Sequence, residues 1–165
     1  MDRDGLYREM TERFGAALRR LAGGYEAEPE RRKDLLQDIH AAVWRSLELY
    51  DGKCSLRTWA YRVAHNVATS HLIRRAGVRF VELEEVVDEQ HDLESTVHRG
   101  LVLERVQRLI HALPPLERQL MLLYLEGLDA AAMAEITGLS PGNVATRVHR
   151  IKAALAQRFH QGARS

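Results

Sequence analysis

With 165 residues, 45% of them hydrophobic, and a formal charge of only +1, the chain has enough apolar material for one compact domain or two small ones. No apolar run approaches the roughly 20 residues of a bilayer span, and a lone cysteine, Cys54, excludes an internal disulfide. Eight histidines never fall into a paired ligand spacing near it, so no metal and no cofactor are expected.

Apolar residues recur every three or four positions along the chain without strand-like alternation, which predicts an all-α fold. The opening "MDRDGLYREM" lacks the apolar core of an export signal, giving the expectation of a cytoplasmic protein with no membrane partner. Leu6, Met10, Phe14, Leu18 and Leu21 line one face of a first helix, which the pair Gly23-Gly24 is expected to end, with "EAEPERR" as a polar connection. A second helix is predicted from about Lys33 to Leu49, burying Leu35, Leu36, Ile39, Val43 and Leu47. "YDGK" reads as a turn. Ser55 can cap a third helix running to about Arg75, with Trp59, Val63, Val67 and Leu72 as its buried stripe.

Charge then divides the chain. Residues 1–80 carry 15 basic and 11 acidic side chains, residues 81–104 carry 1 and 8, and residues 105–165 carry 8 and 4. A concentrated run of like charge resists collapse into a core, so the acidic stretch reads as a linker between two modules. The expected division is 1–80, 81–100 and 101–165. The second module restarts near Leu101, pauses at "LPP", where prolines stop one helix and open the next, and continues through "LERQLMLLYLEGL". "DAAAMAEI" is then a short helix. Gly138 can take the positive φ that reverses the chain, and Ser140-Pro141 caps and opens the next helix.

That pattern is a helix-turn-helix. Val144, Val148, Ile151, Leu155 and Phe159 fall on the inner side of its long second helix. Asn143, Thr146, Arg147 and Arg150 fall on the outer side, where Asn and Arg can hydrogen-bond base edges in a B-DNA major groove. In the first module Asp34, Gln37 and Asp38 share one polar face, with Trp44 towards the far end, an arrangement suited to a partner helix. Further on, Trp59 and Tyr61 are interleaved with Lys53, Arg57, Arg62, His65, Arg74 and Arg75, a mixture suited to stacking bases and holding phosphates of a single strand. Each of these residues has a plainer reading as core or as solvated helix face.

"DLLQDIHAAVW", "SLRTWAYRVAHN" and "LPPLERQLMLLYLEGL…MAEITGLSPGNVATRVHRIKAAL", in this order and separation, resemble the two characteristic regions of a bacterial sigma factor of the extracytoplasmic-function type. The resemblance covers nearly the whole chain. It implies that the first domain docks on the β′ clamp helices of core RNA polymerase through Asp34, Leu35, Gln37 and Asp38, with Trp44 beside them. It also implies capture of the melted minus-ten promoter strand by Lys53, Arg57, Trp59, Tyr61, Arg62, His65 and Asn66. The second domain would read minus-thirty-five promoter DNA through Ser140, Asn143, Thr146, Arg147 and Arg150 and pack on the β flap. Glu82, Glu84, Glu85, Asp88, Glu89, Asp92 and Glu94 of the linker would then mimic a polyanion in a polymerase channel. An anti-sigma protein is a further implied partner, and no catalytic residues are implied.

The sequence departs from that pattern at Ala132, Asn143 and Ala145, and at His40 in the core-binding helix. Ala132, Asn143 and Ala145 bear on which minus-thirty-five sequence is read and how tightly. The alternatives are a sigma-like decoy for an anti-sigma protein, and an ordinary helix-turn-helix regulator whose first domain dimerises or senses a ligand. An enzyme is disfavoured, since "GKCS" lacks the upstream glycine of a phosphate-binding loop.

Overall fold

A computed structural model describes residues 2–76 and 99–164. Within them the regular structure is helical throughout: α1 (Arg3–Tyr25), α2 (Pro29–Ser46) with a 3₁₀ turn at Leu47–Leu49, α3 (Leu56–Ala76), α4 (Arg99–His111), α5 (Pro115–Leu125), α6 (Ala130–Thr137) and α7 (Pro141–Arg164). Every named residue of the acidic linker lies outside the described residues.

Helices α1, α2 and α3 pack on one another as a three-helix body. Met10, Leu18, Leu35, Ile39 and Val43 are fully enclosed in it. Helix α1 does not end at its glycine pair. It continues to Tyr25, whose ring is buried, and Glu26 caps it by donating its backbone N–H to Ala22 O. Helix α2 begins four residues before Lys33, because the Glu28 carboxylate accepts from the N–H groups of Glu30 and Arg31 and Pro29 supplies a preset first turn. "EAEPERR" is therefore part cap and part helix, not a connection. On α3 the fully enclosed positions are Ala60, Ala64 and Ala68, with Leu72 nearly so, while Trp59, Val63 and Val67 are only partly buried. Small residues let α3 approach its neighbours closely; the aromatic and β-branched residues fill the margins.

The second body is built by α4 to α7, with α7 crossing α5 and α6. Its centre contains Leu120, Leu123, Met133, Val144 and Ile151. Arg118 is buried at the α4–α5 corner, where its guanidinium donates to the carbonyls of His111, Leu113 and Tyr25. The His111 and Tyr25 carbonyls belong to helix ends, which lack intrahelical partners, and the Leu113 carbonyl lies in the connection between α4 and α5, so one side chain satisfies the corner. Desolvation lowers its pKa to about 10, which leaves it charged at neutral pH.

The two bodies touch. Helix α6 lies against α3, and α1 meets α4 and α5. Arg20 grips Glu126 with two hydrogen bonds of 2.7 Å. His111 Nε2 meets Gly23 O at 2.9 Å. Gly24 leaves a notch filled by Leu122, so close that a Cβ there would sit 2.4 Å from Leu122 Cδ2.

Candidate nucleic-acid interface

The helix-turn-helix is assembled by local chemistry. Asp129 caps α6 by accepting from Ala132 N at 2.8 Å, and Gly138 closes it at φ +83°, in the left-handed region where only glycine is unstrained. Ser140 Oγ then accepts from Asn143 N at 3.1 Å, opening α7. Val144, Val148 and Ile151 are buried beneath it, with Leu155 and Phe159 partly covered. Ser140, Asn143, Thr146 and Arg150 are exposed along the opposite face. Arg147 is held more tightly: its Nε donates to Asn143 Oδ1 at 2.9 Å and its Nη1 lies 3.5 Å from Glu117 Oε1. Asn143, Thr146, Arg147 and Arg150 thus share one side of α7, with Ser140 at its cap, a surface of the kind a major groove admits.

On the first body, Asp34, Gln37 and Asp38 are exposed together on α2, whereas Leu35 is 0% exposed and belongs to the core. Its contribution is to fix the face, not to form it. Trp44 is 36% exposed; Asp4 Oδ1 accepts from its indole N–H at 3.2 Å and the Arg3 guanidinium stacks 3.7 Å from its ring centroid.

The residues assigned to the minus-ten strand separate into three groups. Lys53, Arg57 and Asn66 are exposed and Arg62 is half-buried. Lys53 and Arg62 line an open cleft of about 720 Å³ shared with Glu135 of α6, while Asn66 lines a different groove, beside Asp38, Arg45 and Arg74. Trp59 is packed edge-on to Tyr50 at 5.3 Å and donates to Ser46 Oγ at 3.0 Å. Tyr61 and His65 are buried. His65 is 1% exposed, paired at 2.8 Å with the hydroxyl of buried Tyr25, and desolvation lowers its pKa to about 3. In this conformation it is a neutral core group, away from any strand on the surface. Arg75 is also engaged, donating to both oxygens of the buried Glu26 carboxylate, which His71 contacts at 3.2 Å.

Residues that letter-by-letter reading passed over are Thr58, which donates to Glu135 Oε2 at 3.3 Å and accepts from Ser55 Oγ, and Glu135 itself, whose carbonyl takes a hydrogen bond from Arg62. The signal for Thr58 was its place three residues after the cap Ser55. Glu135 carried none, because its partners lie 73 and 77 residues away.

Residues 10–78 match the sigma-70 region 2 family and residues 103–155 match sigma-70, region 4. The chain belongs to the sigma-70 family, in its extracytoplasmic-function group. It is 28% identical over 153 residues to the ECF RNA polymerase sigma factor SigE of Mycolicibacterium smegmatis, covering 89% of this chain and 57% of that one. It is 29% identical over 133 residues to the ECF RNA polymerase sigma-E factor of Haemophilus influenzae, covering 72% and 69% of the two chains. Its fold is that of the sigma factor RpoE of Bartonella quintana, solved in complex with the anti-sigma factor NepR: TM-score 0.70, 19% identity, 93% of this chain and 96% of that one. This sigma factor spans little more than half the length of the mycobacterial relative. Sigma-70 factors are not enzymes, and no helix among the described residues is long and apolar enough to cross a membrane.

Proposed function

We propose that this chain is a promoter-specificity subunit that binds core RNA polymerase and directs it to promoters by recognising minus-ten and minus-thirty-five elements, with binding energy in place of covalent chemistry. The observation that carries this is the pairing of region 2 and region 4 matches, in that order, on two helical bodies. The exposed α2 face of Asp34, Gln37 and Asp38 is the site for the β′ clamp helices. Lys53, Arg57, Arg62 and Asn66 hold the melted minus-ten strand. The α7 face of Asn143, Thr146, Arg147 and Arg150 reads the minus-thirty-five duplex, and Ser140 positions its first turn. The β flap is the partner of the second body. An anti-sigma protein restrains the factor, as the Bartonella relative's complex suggests, and the site of action is the cytoplasm.

Run-off transcription with purified core polymerase on genomic fragments tests the whole reading. Products starting at discrete sites are expected; silence despite tight core binding would favour the decoy reading, towards which Ala145, exposed where a cation would strengthen duplex binding, leans. Arg150→Ala is expected to weaken minus-thirty-five duplex binding and to reduce the salt slope by about one if its partner is a phosphate. Asp38→Arg is expected to abolish co-purification with core polymerase, because it reverses charge in the middle of an exposed polar face; a normal yield would remove the α2 assignment.

A further inference from the structure

We propose that the cavity between the two bodies is a binding site for a small amphipathic anion, a molecule with a carboxylate or phosphate head and an apolar body. The cavity measures about 510 Å³ and is walled by α1, α2 and α3 on one side and by α4 and α5 on the other, a volume within the range of small-molecule sites. Arg19 and Arg20 of α1 and Arg32 of α2 line it, and among the described residues lining it the one carboxylate is Glu126. Glu126 is already taken, since Arg20 donates to both of its oxygens at 2.7 Å. Among the described residues the guanidinium groups of Arg19 and Arg32 have no hydrogen bond or ion pair. The cavity therefore carries positive charge that the fold itself leaves unmatched.

Position separates these two arginines from an ordinary solvated helix face. Arg32 is half-buried and lies over Gly23, its Cδ and Nη1 each 3.7 Å from where a Cβ would stand. From the opposite body His111 Nε2 meets the Gly23 carbonyl at 2.9 Å, so the two side chains converge on one residue of the wall. Burial lowers the His111 pKa, and the charge at that point is that of Arg32. Ile110, Leu122 and Leu125 supply an apolar wall, of which Leu125 is 59% exposed. An inorganic anion would leave this wall uncovered, and a neutral apolar molecule would desolvate the guanidinium groups without pairing them. A molecule with both parts satisfies both, its head taking charge-assisted hydrogen bonds from arginine and its body covering the leucines. Because the walls come from both bodies, such a ligand ties one to the other and stabilises the pair by linkage. Arg19, Arg32 and Gln107, which also lines the cavity, take no part in the polymerase and promoter surfaces proposed above, so a failed run-off assay leaves this site standing.

Isothermal titration of the full chain with four probes tests the site: octanoate, octyl phosphate, 1-octanol and inorganic phosphate. One equivalent of octanoate or octyl phosphate should bind, with 1-octanol and inorganic phosphate about tenfold weaker or silent. Binding of either amphiphile supports the site, and a preference between them names the head. Arg19→Gln and Arg32→Gln should each weaken the preferred amphiphile about fivefold or more. Arg13→Gln, exposed on α1 but outside the cavity, should change nothing, and Leu125→Asp should abolish binding. Silence from both amphiphiles overturns the proposal, as does 1-octanol binding equally well, or an Arg13→Gln variant that loses as much as the other two. Gly24→Leu keeps every arginine but drives its side chain into Leu122, which stands 2.4 Å from the place of a Cβ. It should part the walls, seen as a larger radius of gyration by small-angle scattering, and lose the ligand. An expanded Gly24→Leu that binds like wild type puts the ligand on one body alone and overturns the two-walled site.

Discussion

His65 shows how one buried side chain sets a pH response. Its imidazole is enclosed, bonded to the Tyr25 hydroxyl at 2.8 Å, and held to a pKa of about 3 by desolvation, whereas an unfolded chain restores the ordinary value of about 6.5. The folded state therefore binds fewer protons than the unfolded state between those values. The stability due to neutral His65 is fully present above about pH 6.5 and is lost as pH falls towards 3. At pH 5 the loss from this group is about 2 kcal/mol. Burial lowers His40 and His111 in the same direction, so a comparison isolates the residue: His65→Phe should flatten the decline of urea midpoint between pH 7 and 5 relative to wild type. Equal slopes would mean that His65 is hydrated. Arg118 makes a second residue-scale case. Removing its side chain leaves carbonyls of His111, Leu113 and Tyr25 without their donor, and Arg118→Met should cost about 3 kcal/mol in chemical denaturation.

Among the elements, the turn between α6 and α7 depends on backbone freedom at one position only. Gly138 sits at φ +83° with open space around a would-be Cβ, and Gly142, in the first turn of α7, has similar space and no positive φ. Strain and space are thus separated between two neighbouring glycines. Gly138→Ala should destabilise by about 1 kcal/mol through its left-handed conformation. Gly142→Ala should be neutral or stabilising by about 0.5 kcal/mol, since a helical alanine loses less chain entropy on folding. Urea midpoints that move equally for both would contradict the turn geometry. This turn is legible in the sequence because its determinants are local: a glycine at the reversal and Ser140-Pro141 at the restart. The same was true of the α2 stripe and the inner side of α7. The end of α1 falls at Tyr25, one residue past the glycine pair, a difference within the usual fraying of helix ends, and Leu122 packs against Gly24 there. On α3 hydropathy favours Trp59, Val63 and Val67 as the inner stripe, since large apolar residues outweigh alanine, whereas Ala60, Ala64 and Ala68 are the enclosed positions. The chemistry of His65 and Tyr61 suits a strand-binding surface, yet both side chains are buried. Their spacing from Ala68 and Leu72, at helical intervals on the covered side, was the signal against it.

At the scale of the whole molecule, what no local pattern encodes is how the two bodies meet, since the contacting residues come from opposite ends of the chain: Arg20 and Glu126 are 106 positions apart. The interface combines contacts with opposite responses to salt. The Arg20–Glu126 pair is solvent-accessible on the arginine side, with 61% of that side chain exposed, and such pairs contribute only about 0.2–1 kcal/mol and are screened as salt rises. Leu122 in the Gly24 notch is an apolar contact, which screening leaves intact and which strongly hydrated salts strengthen. If the ion pair were the main fastening, raising sodium chloride to about 0.5 M, where the Debye length is about 4 Å, would expand the chain. The close fit at the notch predicts otherwise. Scattering should show the wild type still compact at that salt concentration and Gly24→Leu expanded at every concentration. Arg20→Glu should be the sensitive case, tightening with salt as its repulsion from Glu126 is screened. A wild type that opens with salt as far as Gly24→Leu would shift the fastening from the notch to the charges.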